Sequence, residues 1–151
     1  MNGIATFQTG LPLAISTQNT SRAGNSVLRP NNNGHSAKLD GSVESRLSKY
    51  FDTSVFSAPK ANTLGNVGRD ILHGPHLFDI DFSIFRTFRI TERVHMEFRA
   101  ESFNLTNTPW FDKPDTVFTD AAFGQVTTAQ GTQSVKVNMN RALQGSLRLT
   151  F

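Results

Sequence analysis

Four side chains near the middle of the chain could bind a metal. His73, His76, Asp79 and Asp81 offer nitrogen and oxygen ligands within nine residues, and divalent metals accept both kinds of ligand. A structural interpretation competes with this one. The histidines flank a Gly-Pro pair that joins a loop to an apolar segment, and the aspartates occupy alternate polar positions of a predicted strand. We therefore favour a water-facing strand surface, and we predict no metal and no cofactor.

A second set, Glu97 and Glu101, resembles the carboxylate pair of an acid–base catalyst. On an extended strand four residues span roughly 13 Å, which is too far for one reaction centre. Arg99 lies between the two glutamates and is the expected partner of both. The sequence also lacks a nucleophile elbow, a phosphate-binding loop and a dinucleotide fingerprint. We therefore predict no catalytic residues and a protein that is not an enzyme.

Composition excludes several other classes. No apolar run approaches the roughly 18 residues of a membrane-spanning helix, and without cysteine neither disulfides nor thiolate metal sites can form. The net charge is +3, but the basic residues are scattered among acids and no recognition motif accompanies them, so nucleic-acid binding is not predicted. The first residues show no signal peptide. We expect an N-terminal part of a longer protein to be missing.

The strongest structural signal is a period of two over residues 77–90 and 94–105, joined by a polar turn at 91–93. Successive side chains of a strand point to opposite faces, so this pattern predicts an amphipathic hairpin. Its apolar, lipid-facing positions are predicted to be Phe78, Ile80, Phe82, Ile84, Val94, Met96 and Phe98. Its polar, lumen-facing positions are predicted to be Asp79, Asp81, Arg89, Glu97, Arg99 and Glu101. Across the hairpin we expect Asp81 to hold Arg99.

Two further segments alternate in the same way, residues 135–151 and residues 3–17, although Pro12 cannot donate to a ladder and should lie at an end or a bulge. The segment 135–151 is longer than a usual soluble strand and suits a tilted strand that crosses a bilayer. Residues 18–76 and 106–134 are rich in turn-forming residues and predict long loops, with one helical turn and an extended piece within Val43–Phe56.

The predicted fold class is all-β. Residues 1–151 form a segment of an antiparallel transmembrane β-barrel, with about four strands, two long extracellular loops and a periplasmic turn at 91–93. Four strands cannot close a barrel, so we expect an incomplete one. Phe103 is predicted to belong to an aromatic girdle, while Trp110 and Phe111 could serve either the girdle or a ligand site. The alternative is a soluble secreted β-sandwich that binds a ligand, such as carbohydrate, through Asn-rich loops.

Several motifs resemble one family. GNVGRD (65–70), FRITE (88–92), FRAESFNLTN (98–107), FGQVTTA (123–129) and RALQGSLRLTF (141–151) are similar to the C-terminal end of TonB-dependent, Oar-like outer-membrane barrels of acidobacterial type. The resemblance implies a bacterial outer-membrane location and a role in substrate uptake or surface binding only within the full-length barrel. It also implies four partners: membrane lipid, the rest of the barrel with its plug, TonB through the missing N-terminal part, and the β-barrel assembly machinery. The last of these would read Leu147, Leu149 and Phe151.

Overall fold

Strands dominate the computed structural model, which describes residues 1–19, 27–129 and 140–151. They are β1 (Asn2–Gln8), β2 (Pro12–Leu13), β3 (Asn31–Asn32), β4 (Phe56–Ser57), β5 (Leu72–His73), β6 (Leu77–Arg89), β7 (His95–Phe103) and β8 (Ala142–Thr150). Two 3₁₀ turns, Glu44–Arg46 and Thr53–Val55, complete the regular structure of the described residues. The predicted all-β, antiparallel class is confirmed. Within Val43–Phe56 the predicted helical turn is found at Glu44–Arg46, but a second turn at Thr53–Val55 takes the place of most of the predicted extended piece, and only Phe56 belongs to a strand.

The hairpin of β6 and β7 follows the alternation closely. The strands were predicted at 77–90 and 94–105 and are found at Leu77–Arg89 and His95–Phe103. Between them, the backbone N–H groups of Ile90 and Thr91 donate to the Val94 carbonyl at 3.0 and 3.2 Å. Thr91 Oγ1 in turn accepts a hydrogen bond from Val94 N at 3.1 Å. Val94 therefore belongs to the turn, and its predicted place on the apolar face of a strand is corrected.

Two more strands flank this hairpin and give an antiparallel sheet in the order β1-β6-β7-β8. Within the described residues β1 and β8 each pair on one side only, so the sheet is open. β8 begins at Ala142 rather than at the predicted residue 135. Residues 135–139 of that prediction lie outside the described residues.

The predicted strand over residues 3–17 is divided in two. β1 ends at Gln8, and β2 resumes at Pro12 to pair with β5 in a separate two-stranded sheet. The break has a local cause, because at Gly10 an added Cβ would collide with the backbone of Gly74. Pro12 also lacks the N–H that a continuous ladder would need.

The described chain forms two units. The sheet unit consists of Met1–Thr9, His76–Trp110 and Gln130–Phe151, and it contains β1, β6, β7 and β8. The loop unit consists of Gly10–Pro75 and Phe111–Ala129. The described parts of the predicted loops 18–76 and 106–134 thus supply most of a compact unit.

The loop unit has its own apolar core. Its buried members are Leu13, Ile15, Ala37, Val43, Tyr50, Phe51, Val55, Phe56, Val67 and Leu72. At the centre Phe51 is fully buried, and its ring meets those of Phe56 and Phe123 edge-on, with centroids 5.9 and 5.2 Å apart. Such edge-to-face contacts are favourable for aromatic rings. Burial of these rings gives an otherwise irregular segment a defined structure.

Asparagine side chains brace the loop unit from outside the core. Asn66 Oδ1 accepts from Asn32 N at 2.6 Å, while Asn66 N donates to Asn31 Oδ1 at 3.2 Å and Asn66 Nδ2 donates to Asn32 O at 3.3 Å. Asn33 Oδ1 accepts from the backbone of His35. These amides, which the alternative interpretation assigns to ligand binding, are engaged in backbone hydrogen bonds.

Candidate membrane interface

The register of the hairpin brings the predicted apolar positions onto one face. Ile84 faces Ala100 across the two strands, and Phe88 faces Met96. Because side chains alternate along a strand, the following predicted positions share one side of the sheet: Phe78, Ile80, Phe82, Ile84, Met96 and Phe98. Val94, in the turn, is the exception. That these side chains contact lipid stays a prediction.

The flanking strands extend this apolar face, as the register shows. On β8, Leu149 pairs with Met96 and Leu147 pairs with Phe98. On β1, Phe7 pairs with Phe78. The face is open rather than packed, since Phe98 is 43%, Leu147 63% and Phe7 70% exposed. Exposed apolar side chains that share one face across four strands are typical of a surface that contacts lipid or another protein.

Small residues form a groove in the apolar face. Ala100 and Gly145 pair with each other across β7 and β8. Phe82, Ile84 and Leu143 also line the groove. The groove has a volume of about 340 Å³. Sequence alternation shows that Ala100 and Gly145 are on the face, but only the register shows that they are neighbours.

The opposite face carries the predicted polar residues. Asp79, Asp81, Arg89, Glu97, Arg99 and Glu101 all lie on it, by the same alternation. Arg99 Nε is 3.0 Å from Glu101 Oε1, so the partner of Arg99 lies on its own strand. Opposite Arg99 on β6 is Phe85. The predicted Arg99–Asp81 contact is therefore wrong, because Asp81 lies four residues before Phe85 and near the other end of the hairpin pairing.

Asp81 has a structural task instead. Its Oδ1 accepts a hydrogen bond of 3.0 Å from the backbone N–H of Asn104, the residue that follows β7. Asp79 differs, because its Oδ1 is buried and makes no hydrogen bond with the described residues. The two aspartates lie on one face of one strand but have different environments. Their alternate positions in the sequence do not reveal this difference.

The turn after β7 is organised by Asn104, which the sequence analysis used only as part of the FRAESFNLTN resemblance. Asn104 is 1% exposed and has a φ of 48°. Its Nδ2 donates to Thr108 O, and its Oδ1 accepts from Thr108 N, both at 3.0 Å. Asn107, with a φ of 52°, accepts from Arg141 N through Oδ1 at 3.1 Å. Asparagine tolerates left-handed backbone, and this was the available signal in FNLTN.

The three aromatic residues near this turn are placed differently from one another. Phe103, the last residue of β7, alternates onto the polar face with Arg99 and Glu101, which does not support its predicted girdle position. Trp110 is buried, and its Nε1 donates to the Phe78 carbonyl at 3.3 Å. Phe111 packs against the core of the loop unit.

The candidate metal ligands are not brought together. In residues 1–19, 27–129 and 140–151, no three His, Asp or Glu side chains form a group that could hold a metal ion. The His76 ring lies 6.4 Å from that of Phe7. No helix in the part of the chain that the structure describes is long and apolar enough to cross a membrane.

An antiparallel sheet with one apolar face and one charged face is the pattern of strands that span a bilayer, which alternate between lipid and interior. Residues 1–144 match the family described as outer membrane beta barrel domain, and the chain belongs to that family. It is thus an outer-membrane protein with a structural barrel domain. Neither the curated proteins nor the solved structures contain a significant match.

Proposed function

We propose that the four-stranded sheet is part of the wall of a TonB-dependent receptor-like barrel in the bacterial outer membrane. Its apolar face contacts lipid and its polar face lines the interior. The observation that carries this proposal is the register, which continues one apolar face through β1, β6, β7 and β8. The motifs that resemble Oar-like barrels support the receptor type. The role is structural and not enzymatic.

The length of the apolar face along β6 agrees with the thickness of the apolar part of a bilayer. From Phe78 to Phe88 an extended strand covers about 33 Å, and at the usual strand tilt this gives about 25 Å of height, the size of the apolar band of outer-membrane barrels. The short turn after β6 is then periplasmic and the long connections between the strands are extracellular, which is the usual asymmetry.

The outer edges of β1 and β8 are unpaired within the described residues. Four strands are fewer than the eight of the smallest closed barrels, and an unpaired edge promotes association with other strands. We therefore propose that further strands of a parent barrel pair with β1 and β8, that a plug fills the interior, and that uptake or surface binding belongs to that assembly. TonB would act through the plug-bearing part.

The β-barrel assembly machinery is the proposed partner of β8 during insertion. Leu147 and Leu149 are exposed on the apolar face, and the Phe151 ring beyond the strand is 91% exposed. A free strand edge with alternate apolar side chains suits recognition by strand addition. Phe151→Ala should reduce insertion in cells while leaving refolding in detergent unchanged. Normal insertion in cells would contradict this role.

Spin labels on neighbouring residues test the two faces. Cysteines at Ser146 and Leu147, and at Ser83 and Ile84, place labels on opposite faces of the same strands. In vesicles containing the full-length protein, labels at Leu147 and Ile84 should be relaxed by oxygen, which dissolves in lipid. Labels at Ser146 and Ser83 should be relaxed by a water-soluble nickel complex.

The soluble alternative makes the opposite prediction. In a β-sandwich a second sheet would cover the apolar face, so labels at Leu147 and Ile84 would be shielded from both reagents without any membrane present. A water-soluble monomer with that pattern would contradict the barrel proposal.

A further inference from the structure

One cation interrupts the apolar face. Arg86 pairs with Phe98 across the hairpin, and Phe98 pairs with Leu147 on the next strand. By alternation Arg86 therefore shares the face with Ile84 and Phe88. The other face residues in the described strands are Gly3, Ala5, Phe7, Phe78, Ile80, Phe82, Met96, Ala100, Ser102, Leu143, Gly145 and Leu149. None of them has a carboxylate.

Arg86 is held by a ring and not by an acid. Its Cζ lies 5.2 Å from the centroid of the Phe88 ring, in a cation–π arrangement. The two ion pairs found among the described residues, Lys49–Asp52 and Arg99–Glu101, do not include it. Among the described residues, therefore, no carboxylate neutralises the guanidinium of Arg86.

Its position along the strand decides what can neutralise it. Arginine on a lipid-facing surface is unfavourable at the middle of the bilayer and is tolerated near the interface. Arg86 lies three residues before the end of β6 at Arg89, about 10 Å along the strand. A tilted strand brings it still closer to the interface, and long arginine side chains extend from apolar surroundings to the polar boundary. The headgroup level is within its reach.

We propose that Arg86, supported by Phe88, is a binding site for the phosphate of an anionic phospholipid in the periplasmic leaflet. Planar guanidinium groups bind phosphate oxygens through two parallel hydrogen bonds. The lipid's acyl chains would lie against Ile84 and Phe98, on the same face. This inference rests on the proposed function, since it needs the apolar face in lipid and the turn on the periplasmic side.

The test uses the full-length protein in vesicles of equimolar phosphatidylcholine and phosphatidylglycerol. Vesicles of phosphatidylcholine alone serve the insertion control described below. Native mass spectrometry of the released protein gives the ratio of bound phosphatidylglycerol to bound phosphatidylcholine. Arg86→Leu should lower this ratio roughly fivefold, the factor contributed by one basic residue near an anionic surface. Arg86→Lys should keep part of the preference, because its charge remains without the planar donors.

Arg89→Leu is the matched control, since Arg89 is an exposed arginine on the same strand but on the polar face. It should leave the ratio unchanged. An unchanged ratio in Arg86→Leu, or an equal loss in Arg89→Leu, would overturn the site. Excess inorganic phosphate should not displace the lipid, and full displacement would overturn the lipid assignment.

Insertion separates this inference from the proposal on which it rests. Wild type and Arg86→Leu should both insert into neutral phosphatidylcholine vesicles, as judged by heat-dependent gel mobility. Failure of both to insert would overturn the barrel proposal and the lipid site together. Insertion of both with equal lipid preference would overturn the lipid site alone.

Discussion

Arg99 Nε and Glu101 Oε1 are 3.0 Å apart on β7, two residues from each other along one strand. Residues at this spacing share a face, so the pair neutralises charge on the polar side without a partner from β6. The Arg99 side chain is 49% exposed and that of Glu101 20%. Water therefore screens the interaction, and we assign it the modest energy of exposed ion pairs.

The first prediction concerns that pair. In a double-mutant cycle with Arg99→Leu and Glu101→Gln, the coupling in the free energy of unfolding should be about 0.5–1 kcal/mol. The same cycle with Arg99→Leu and Asp81→Asn should give no coupling, because those residues do not form an ion pair. Urea titrations of the refolded barrel provide the measurement. Equal coupling in both cycles would contradict this result and would support the Arg99–Asp81 contact that the sequence predicted.

The second prediction separates the two aspartates of β6. Asp81→Ala removes the acceptor of the Asn104 N–H and should destabilise the barrel by about 1–3 kcal/mol, the cost of an unsatisfied buried group. Asp79→Ala removes a carboxylate whose Oδ1 is buried without a hydrogen bond to the described residues and should cost less than Asp81→Ala. Unfolding midpoints of the two variants test this. A larger loss for Asp79→Ala would contradict this difference between the two aspartates.

The third prediction concerns the turn at Asn104. Asn104→Ala loses both side-chain hydrogen bonds to Thr108 and strains a residue with a φ of 48°, so it should cost about 3 kcal/mol. Asn104→Gly loses the same bonds but accepts the backbone angle, and it should cost about 1 kcal/mol less. Equal stabilities for the two variants would mean that the backbone angle contributes nothing.

The fourth prediction compares two glycines of the loop unit, both with left-handed backbone. At Gly34, with a φ of 93°, an added Cβ meets nothing within 4 Å, so Gly34→Ala should cost about 1 kcal/mol from backbone strain alone. At Gly124, with a φ of 82°, it would lie 2.7 Å from Thr53 Cγ2 and next to Phe51. Gly124→Ala should cost at least about 2 kcal/mol. Hydrogen exchange at Tyr50 N, which donates to Gly124 O at 2.7 Å, reports the loss of packing.

The fifth prediction is a pH dependence of the loop unit. Hydrogen bonds from Lys49 and Ser54 hold the pKa of the Asp52 carboxyl below its ordinary value of 3.8. Because the folded pKa is depressed, this stabilisation is present above pH 3.8 and is lost as pH falls through the folded pKa. A carbon-13 titration of the Asp52 carboxyl should show the low midpoint, and Lys49→Met should raise it. A midpoint unmoved by Lys49→Met would exclude the 2.9 Å contact between Lys49 Nζ and Asp52 Oδ1.

Alternation by itself determined the hairpin and its two faces. The period of two from Leu77 to Arg89 and from His95 to Phe103 places side chains without any knowledge of partners, because it reflects only the geometry of one extended chain. Strand ends were less accessible to this reasoning. The alternating pattern continues through Gly10 and includes Val94. In the structure the first strand ends before Gly10, which lies against the backbone of Gly74, and Val94 belongs to the turn that begins at Thr91.

Only the tertiary structure decided which residues meet. Asp81 with Asn104 and Gly145 with Ala100 depend on register and turn geometry, which the sequence pattern leaves open. Arg99 with Glu101 differs, because both lie on one strand and alternation already made Glu101 an expected partner. The core of the loop unit was hidden for the same reason. Phe123 is far along the chain from Phe51 and Phe56, in a segment without a period of its own. The three rings pack together where backbone hydrogen bonds such as Tyr50 N to Gly124 O join the two stretches.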